Sequence, residues 1–95
     1  MPATAAQGLL AVKWAKTALG LPYSWAGGNA AGPTLGVVES ATILSGATTV
    51  GFDCSGLTLY TWAHAGITLG HYTGNQWDSG LHIPLDQLRP GDLVF

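Results

Sequence analysis

Charge is what this sequence has least of. Asp, Glu, Lys and Arg make up 8% of its 95 residues, against about 25% in an average soluble domain. Lys13, Lys16 and Arg89 are the only strongly basic side chains, and the formal net charge is −2. With no basic patch to neutralise phosphates, nucleic acid is not an expected partner. Cysteine is nearly absent too. The single Cys54 has no partner for an internal disulfide, so cysteine usage does not fix the redox compartment. No apolar run reaches the ~18 residues that a membrane-spanning helix needs. The N-terminal stretch MPATAAQGLLAVKWAKTALG is alanine-rich, but Lys13 and Lys16 interrupt its apolar run. It therefore reads poorly as a signal peptide. No His/Cys/carboxylate cluster has ligand spacing, so no metal and no cofactor is implied.

The chain that remains is glycine-rich and apolar, and 95 residues allow one small domain. Residues 5–19 read as a helix. Thr4 and Gln7 have capping-box spacing, and Leu10, Ala11, Trp14, Ala15 and Ala18 share a stripe. Gly20 suits a left-handed stop and Pro22 bars continuation. LPYSWAGG then enters a glycine turn. Residues 26–51 are rich in Gly, Ala, Thr and Ser, and the segment VVESATIL within them fits either a helical turn or a short strand. A structureless loop of that length is uncommon in a compact domain, so local order is expected there. Residues 53–65 read as a second helix, apolar nearly all round, which points to burial on more than one side. Gly56 in its first turn costs about 0.5–1 kcal/mol relative to Ala. Close approach of a ligand or another backbone accounts for a glycine there. A helical turn is expected around Gln76, Pro90–Gly91 fits the centre of a type II turn, and DLVF reads as the start of a strand.

Cys54 lies in GFDCSGLTLY, between an acid and a hydroxyl. Cysteine often serves as a small buried hydrophobe, and that reading competes with a nucleophilic one. Asp53 is placed to cap the helix, which leaves Cys54 in its first turn. There the free N–H groups and the helix dipole favour an anion, and thiolate becomes more available. The same N–H groups suit a developing oxyanion. The negative charge of Asp53 opposes the thiolate, which argues that Asp53 has a second task. A nucleophilic cysteine also needs a base. His64 lies on the same helix, roughly 15 Å along the axis from Cys54, and is expected to be packed or at the surface. His71 and His82 lie in loops, and neither has an Asp or Asn partner at a readable spacing.

Taken in order, these pieces resemble the NlpC family of papain-like cysteine endopeptidases. The pieces are Leu19–Gly20, Pro22–Tyr23, Trp25, Gly27–Gly28, Phe52–Leu57, Ala65–Ile67, His71–Trp77 with Ser79–Gly80, and Leu88 with Pro90–Phe95. Members of that family cut amide bonds in the stem peptides of bacterial cell-wall peptidoglycan. The resemblance implies an α+β, papain-like NlpC-type fold: a helical N-terminal part plus the first strand of an antiparallel sheet. It implies Cys54 as nucleophile and Asp53 as acceptor for the free amine of the substrate's first residue. Tyr23 would line the cleft, Ser55 would contact substrate, and the region from His71 to Gln76 would border the substrate groove.

Two departures stand out. Residues 29–50 form a Gly/Ala/Thr-rich insertion where the family commonly has a short glycine link. The family's catalytic histidine follows the PGDLVF strand, with an orienting polar residue later still, and neither falls within residues 1–95. The expectation is therefore a single, incomplete peptidase domain over 1–95 that carries the nucleophile and not the base, inactive by itself. Its place by resemblance is secreted or in the cell wall, with no membrane span. Its partners are stem peptide and a possible second chain pairing with the final strand. A shortened module that binds cell-wall peptide or a partner chain is the alternative, as is an acyltransferase using the same cysteine chemistry.

Overall fold

A computed structural model of the chain describes residues 3–37 and 45–95. Helix α1, Ala5–Lys16, begins with the capping box expected at Thr4 and Gln7. The Gln7 N–H donates to Thr4 Oγ1 at 3.1 Å, and the Thr4 N–H donates to Gln7 Oε1 at 2.9 Å. Two of the N–H groups that a helix start leaves without partners are thereby satisfied. Regular α-helix ends at Lys16, earlier than the expected residue 19. Tight turns closed by Ala18 N–H to Ala15 O and Leu19 N–H to Lys16 O carry the chain to Gly20, at φ +87°. Contraction of the last turn in this way is a common helix ending.

The loop after α1 runs through Tyr23–Gly28 and pairs locally with the segment before the third helix. Strand β1, Thr34–Leu35, pairs antiparallel with β2, Val50–Gly51, with Thr34 opposite Gly51 and Leu35 opposite Val50. A short helix α2, Ser45–Thr48, precedes β2. The Gly/Ala/Thr-rich insertion is thus ordered on both sides of its centre. Asn29 Oδ1 accepts the Ala31 N–H at 2.8 Å in an Asx turn, and Gly36 N–H donates to Gly46 O at 2.7 Å. Apart from Val37, the segment VVESATIL lies outside the described residues.

Helix α3, Cys54–His64, packs against α1. Ala11, Trp62 and Ala65 form the buried core, with Ala3, Ile67 and Leu69 packed at its edge. Gln7 Nε2 donates to Ala65 O at 3.2 Å and joins the start of α1 to the end of α3. At the other end of this contact Trp14 stacks on His64, with ring centroids 3.9 Å apart, and Tyr60 meets His64 edge-on. His64 is thus a packed histidine, as expected. The stripe expected on α1 needs one correction: Leu10 stays 37% exposed, while Gly8 is buried. A turn from the far end of the chain takes that place.

That turn is the one expected at Pro90–Gly91. Asp92 N–H donates to Arg89 O at 3.0 Å, and Gly91 has φ +96°, as a type II turn requires. Helix α4, Thr73–Asp78, supplies the helical turn expected around Gln76, and Leu85–Gln87 form a single 3-10 turn. The strand expected to start at DLVF is not formed: residues 92–95 belong to no ladder and no helix. The small antiparallel sheet comes from β1 and β2 instead. A strand needs a neighbour for its N–H and C=O groups, and no described segment lies alongside 92–95 in a ladder. These residues lie by the start of α3, where Phe95 meets Trp77 edge-on at 5.3 Å.

Gly8 and the 89–92 turn give a prediction with an inverted sign. In an exposed helix interior Gly→Ala stabilises by about 1 kcal/mol. Here a Cβ on Gly8 would run into the Pro90 carbonyl oxygen, which is backbone and cannot swing away. Overpacking of that kind costs about 1–3 kcal/mol. Gly8→Ala is therefore expected to lower the urea midpoint, and a raised midpoint would show that the turn does not dock on α1.

Candidate active site

The head of α3 is built by backbone before any side chain takes part. Ser24 N–H donates to Phe52 O at 3.0 Å, and Tyr23 and Phe52 form an isolated parallel bridge. Asp53 N–H donates to Gly27 O, also at 3.0 Å. The YSWAGG loop thus holds residues 52–53 in extended form up to the point where the helix begins. Ser24 has no solvent exposure, and its Oγ donates to Gly46 O at 3.3 Å, which ties the loop to the insertion as well.

Asp53 is the N-cap of α3, with extended backbone at φ −88° and ψ −179°. Its Oδ1 accepts the Gly56 N–H at 2.6 Å, the side-chain bond that favours Asp at helix starts. The same oxygen accepts from Ser55 Oγ at 3.3 Å and lies 2.8 Å from His71 Nε2. Gly56 is what allows this convergence. A Cβ there would strike Gly27 O and stand 2.7 Å from Asp53 Oδ1 and 3.1 Å from His71 Nε2. The close approach expected at Gly56 is therefore the backbone of the YSWAGG loop.

Cys54 follows in the first turn and is exposed. It lines an open cleft together with Thr58, Thr73, Gln76 and residues 92–95. Of the N–H groups at this helix start, Gly56 gives its own to the Asp53 carboxylate and Leu57 donates to Asp53 O at 3.0 Å. Those of Cys54 and Ser55 have no acceptor among the described residues. Two backbone donors beside an exposed thiol are the arrangement that stabilises a developing oxyanion.

Of the site residues read from sequence, Asp53, Cys54, Ser55, His71 and Gln76 come together at this helix start. Ser55 is buried, and its hydroxyl points at Asp53. Gln76 is 5% exposed, and its Nε2 donates to Ser55 O at 2.8 Å and Gly70 O at 2.9 Å. Its amide therefore fastens the 70–72 bend to α3. Tyr23 stands beside Phe52, 55% exposed. His71 differs from expectation: it has a carboxylate partner, Asp53, eighteen residues away in sequence. Spacing hid that pair, because only the fold of the 66–72 loop brings the two together. His82 stacks on Trp77 with centroids 3.8 Å apart, and its Nε2–H donates to Trp77 O at 2.9 Å. Among the described residues no histidine is hydrogen-bonded to the Cys54 thiol.

Two outcomes test this geometry. Gly56→Ala should destabilise the fold by about 1–3 kcal/mol despite the better helix former, measured by urea denaturation; an unchanged or raised midpoint would contradict the close contact with Gly27. Cys54 should be alkylated by iodoacetamide in the folded protein within minutes, at a rate near that of an accessible thiol. Protection for hours would place the thiol in the core.

Residues 20–95 match the NlpC/P60 family. The peptidoglycan endopeptidase RipA of Mycolicibacterium smegmatis is 56% identical over 77 residues, covering 81% of this chain. The chain spans 14% of the length of that relative. The peptidoglycan hydrolase RipB of Mycobacterium tuberculosis superposes with a TM-score of 0.77 at 40% identity, over 90% of this chain and 40% of that one. RipD of the same organism, described as a non-catalytic NlpC/p60 domain protein adapted to peptidoglycan binding, superposes with a TM-score of 0.77 at 35% identity, over 87% and 60%. With four-fifths of its residues inside the family match and relatives of this identity, the chain belongs to the NlpC/P60 family.

Proposed function

We propose that this chain carries the nucleophile half of a cysteine peptidase that hydrolyses amide bonds in peptidoglycan stem peptides, in the cell wall or outside the cell. The observation that carries this reading is the exposed Cys54 in a cleft at a helix start with two unspent backbone N–H groups. The peptidoglycan-directed relatives support the substrate class. The thiolate of Cys54 attacks the scissile carbonyl carbon. An S–C bond forms, and the carbonyl oxygen takes up negative charge facing the Cys54 and Ser55 N–H groups. The C–N bond then breaks, and the amine leaves with a proton from an imidazolium. Water cleaves the thioester, releasing the acid and restoring the thiol. Within residues 1–95, His64 and His82 are packed against aromatic rings and His71 is committed to Asp53. The imidazole is therefore assigned to a residue outside this stretch. Asp53 Oδ2 is the acceptor assigned to the free amine of the stem peptide, since Oδ1 already has three donors. Tyr23, Ser55 and the His71–Gln76 region are its neighbours in that groove.

A second reading, a peptide-binding module without turnover, has one observation in its favour: no described base reaches Cys54. The likeness to RipD is in keeping with it. The two readings separate on the polypeptide as the cell makes it. The peptidase reading expects cleavage of stem peptide that falls by at least about 10³-fold in Cys54→Ala, as loss of a nucleophile does, while residues 1–95 alone bind without turnover. No cleavage at all would favour the module. Cleavage undiminished in Cys54→Ala would exclude thiol catalysis, and Cys54-dependent cleavage by residues 1–95 alone would move the base inside the chain, to His71.

A further inference from the structure

We propose that His71 is a positioning residue for Asp53: it fixes the carboxylate so that Oδ2 alone is left open to solvent as a single, aimed acceptor for a substrate amine. The inference rests on the amine role given to Asp53 above. Its geometry rests on the His71–Asp53 pair itself.

An ionised carboxylate only accepts, so the proton between Asp53 Oδ1 and His71 Nε2 belongs to the imidazole. That fixes the tautomer, with Nε2 as the donor. Bonds from Gly56 N–H and Ser55 Oγ, both in the first turn of the same helix, would hold the carboxylate from one side only. A third donor on the same oxygen, arriving from another loop, holds it from the other side. The Asp53 side chain is 13% exposed and that of His71 36%. Oδ2 has no donor among the described residues. It is not a buried orphan either, since among the described residues no buried side-chain oxygen lacks a partner. Oδ2 therefore reaches solvent, while Oδ1 is spent.

His71 itself is held from both sides. Gln76 Nε2 donates to Gly70 O, the residue before it, and to Ser55 O on α3. Gln76 N–H donates to Tyr72 O at 3.2 Å, the residue after it. The 70–72 bend is thereby lashed to the helix start that carries Asp53. This is the support that a recognition group needs to stay within a few tenths of an ångström of its productive geometry.

The test begins on this chain alone. Gly56 N–H is the backbone donor to Asp53 Oδ1, so its hydrogen exchange reports whether the carboxylate is held. In His71→Ala the Gly56 amide should exchange about fivefold faster or more, in keeping with the loss of one charge-assisted hydrogen bond. The Ile67 amide, bonded to Trp62 O, should keep its rate, which separates local loosening from general destabilisation. His71→Gln, whose amide nitrogen can stand in for Nε2, should restore the Gly56 rate. An unchanged Gly56 rate in His71→Ala would overturn the proposal.

The second measurement uses stem peptide with a free and with an N-acetylated terminus, bound to the Cys54→Ala chain so that no turnover intrudes. Preference for the free amine should fall about tenfold in His71→Ala, return in His71→Gln, and disappear in Asp53→Asn with no further loss in the double variant. Preference that survives His71→Ala but not Asp53→Asn would overturn the positioning role and leave the amine site standing. Preference that survives Asp53→Asn would overturn the amine site and the purpose given to His71 with it. An equal loss of affinity for both peptides in His71→Ala would make His71 a direct contact instead, and would also overturn the proposal.

Discussion

One carboxylate oxygen, Asp53 Oδ1, gathers donors from three places: the first turn of α3 through Gly56, the neighbouring Ser55 hydroxyl, and the 70–72 bend through His71. Burying most of a carboxylate costs free energy unless its charge is met by hydrogen bonds. Here the donors that meet it also define where α3 begins. Remove the convergence and three things loosen together: the helix start, the bend, and the direction of the second carboxylate oxygen. The YSWAGG loop completes the arrangement from the opposite side. Gly27 O takes the Asp53 N–H and sits where a side chain on residue 56 would have to go. The glycine at 56 thus serves the approach of a backbone, and the helix propensity it gives up is offset by the contact it permits.

The local features of this arrangement were legible in the sequence because they depend on near neighbours. The Thr4–Gln7 box, the Asp53 cap, the left-handed Gly20, the Pro90–Gly91 turn and the helical turn at Gln76 each follow from residues within four positions of one another. The tie between Asp53 and His71 was not legible, since they lie eighteen positions apart, across helix and loop. Nor was the double use of the Gln76 amide, or the docking of the 89–92 turn on Gly8. That docking is why Gly8 rather than Leu10 faces inward on α1. The strand read at DLVF failed for a different reason. β-propensity specifies a residue that fits a ladder, and it does not supply the neighbour. The antiparallel pair that does form draws on Thr34–Leu35 and Val50–Gly51, in the 26–51 stretch whose composition gave no periodic signal.

Placing a carboxylate one residue before a thiol that is proposed to act as a thiolate is electrostatically awkward, and the structure answers the difficulty in two ways. The helix start offers Cys54 the N–H groups and dipole that favour an anion, and Asp53 by its charge opposes it. Three donors on Oδ1 draw carboxylate charge away from solvent and into a fixed hydrogen-bond set. The cap geometry meanwhile spends the Gly56 and Leu57 N–H groups on Asp53 and leaves those of Cys54 and Ser55 unspent. The same residue therefore sorts the donors of the first turn into two sets, one that holds the helix and one left without an acceptor among the described residues. An alanine at 53 would free a third donor but lose the sorting. The acid before the cysteine thus decides which backbone N–H groups of α3 are taken up in the cap and which are left without an acceptor among the described residues.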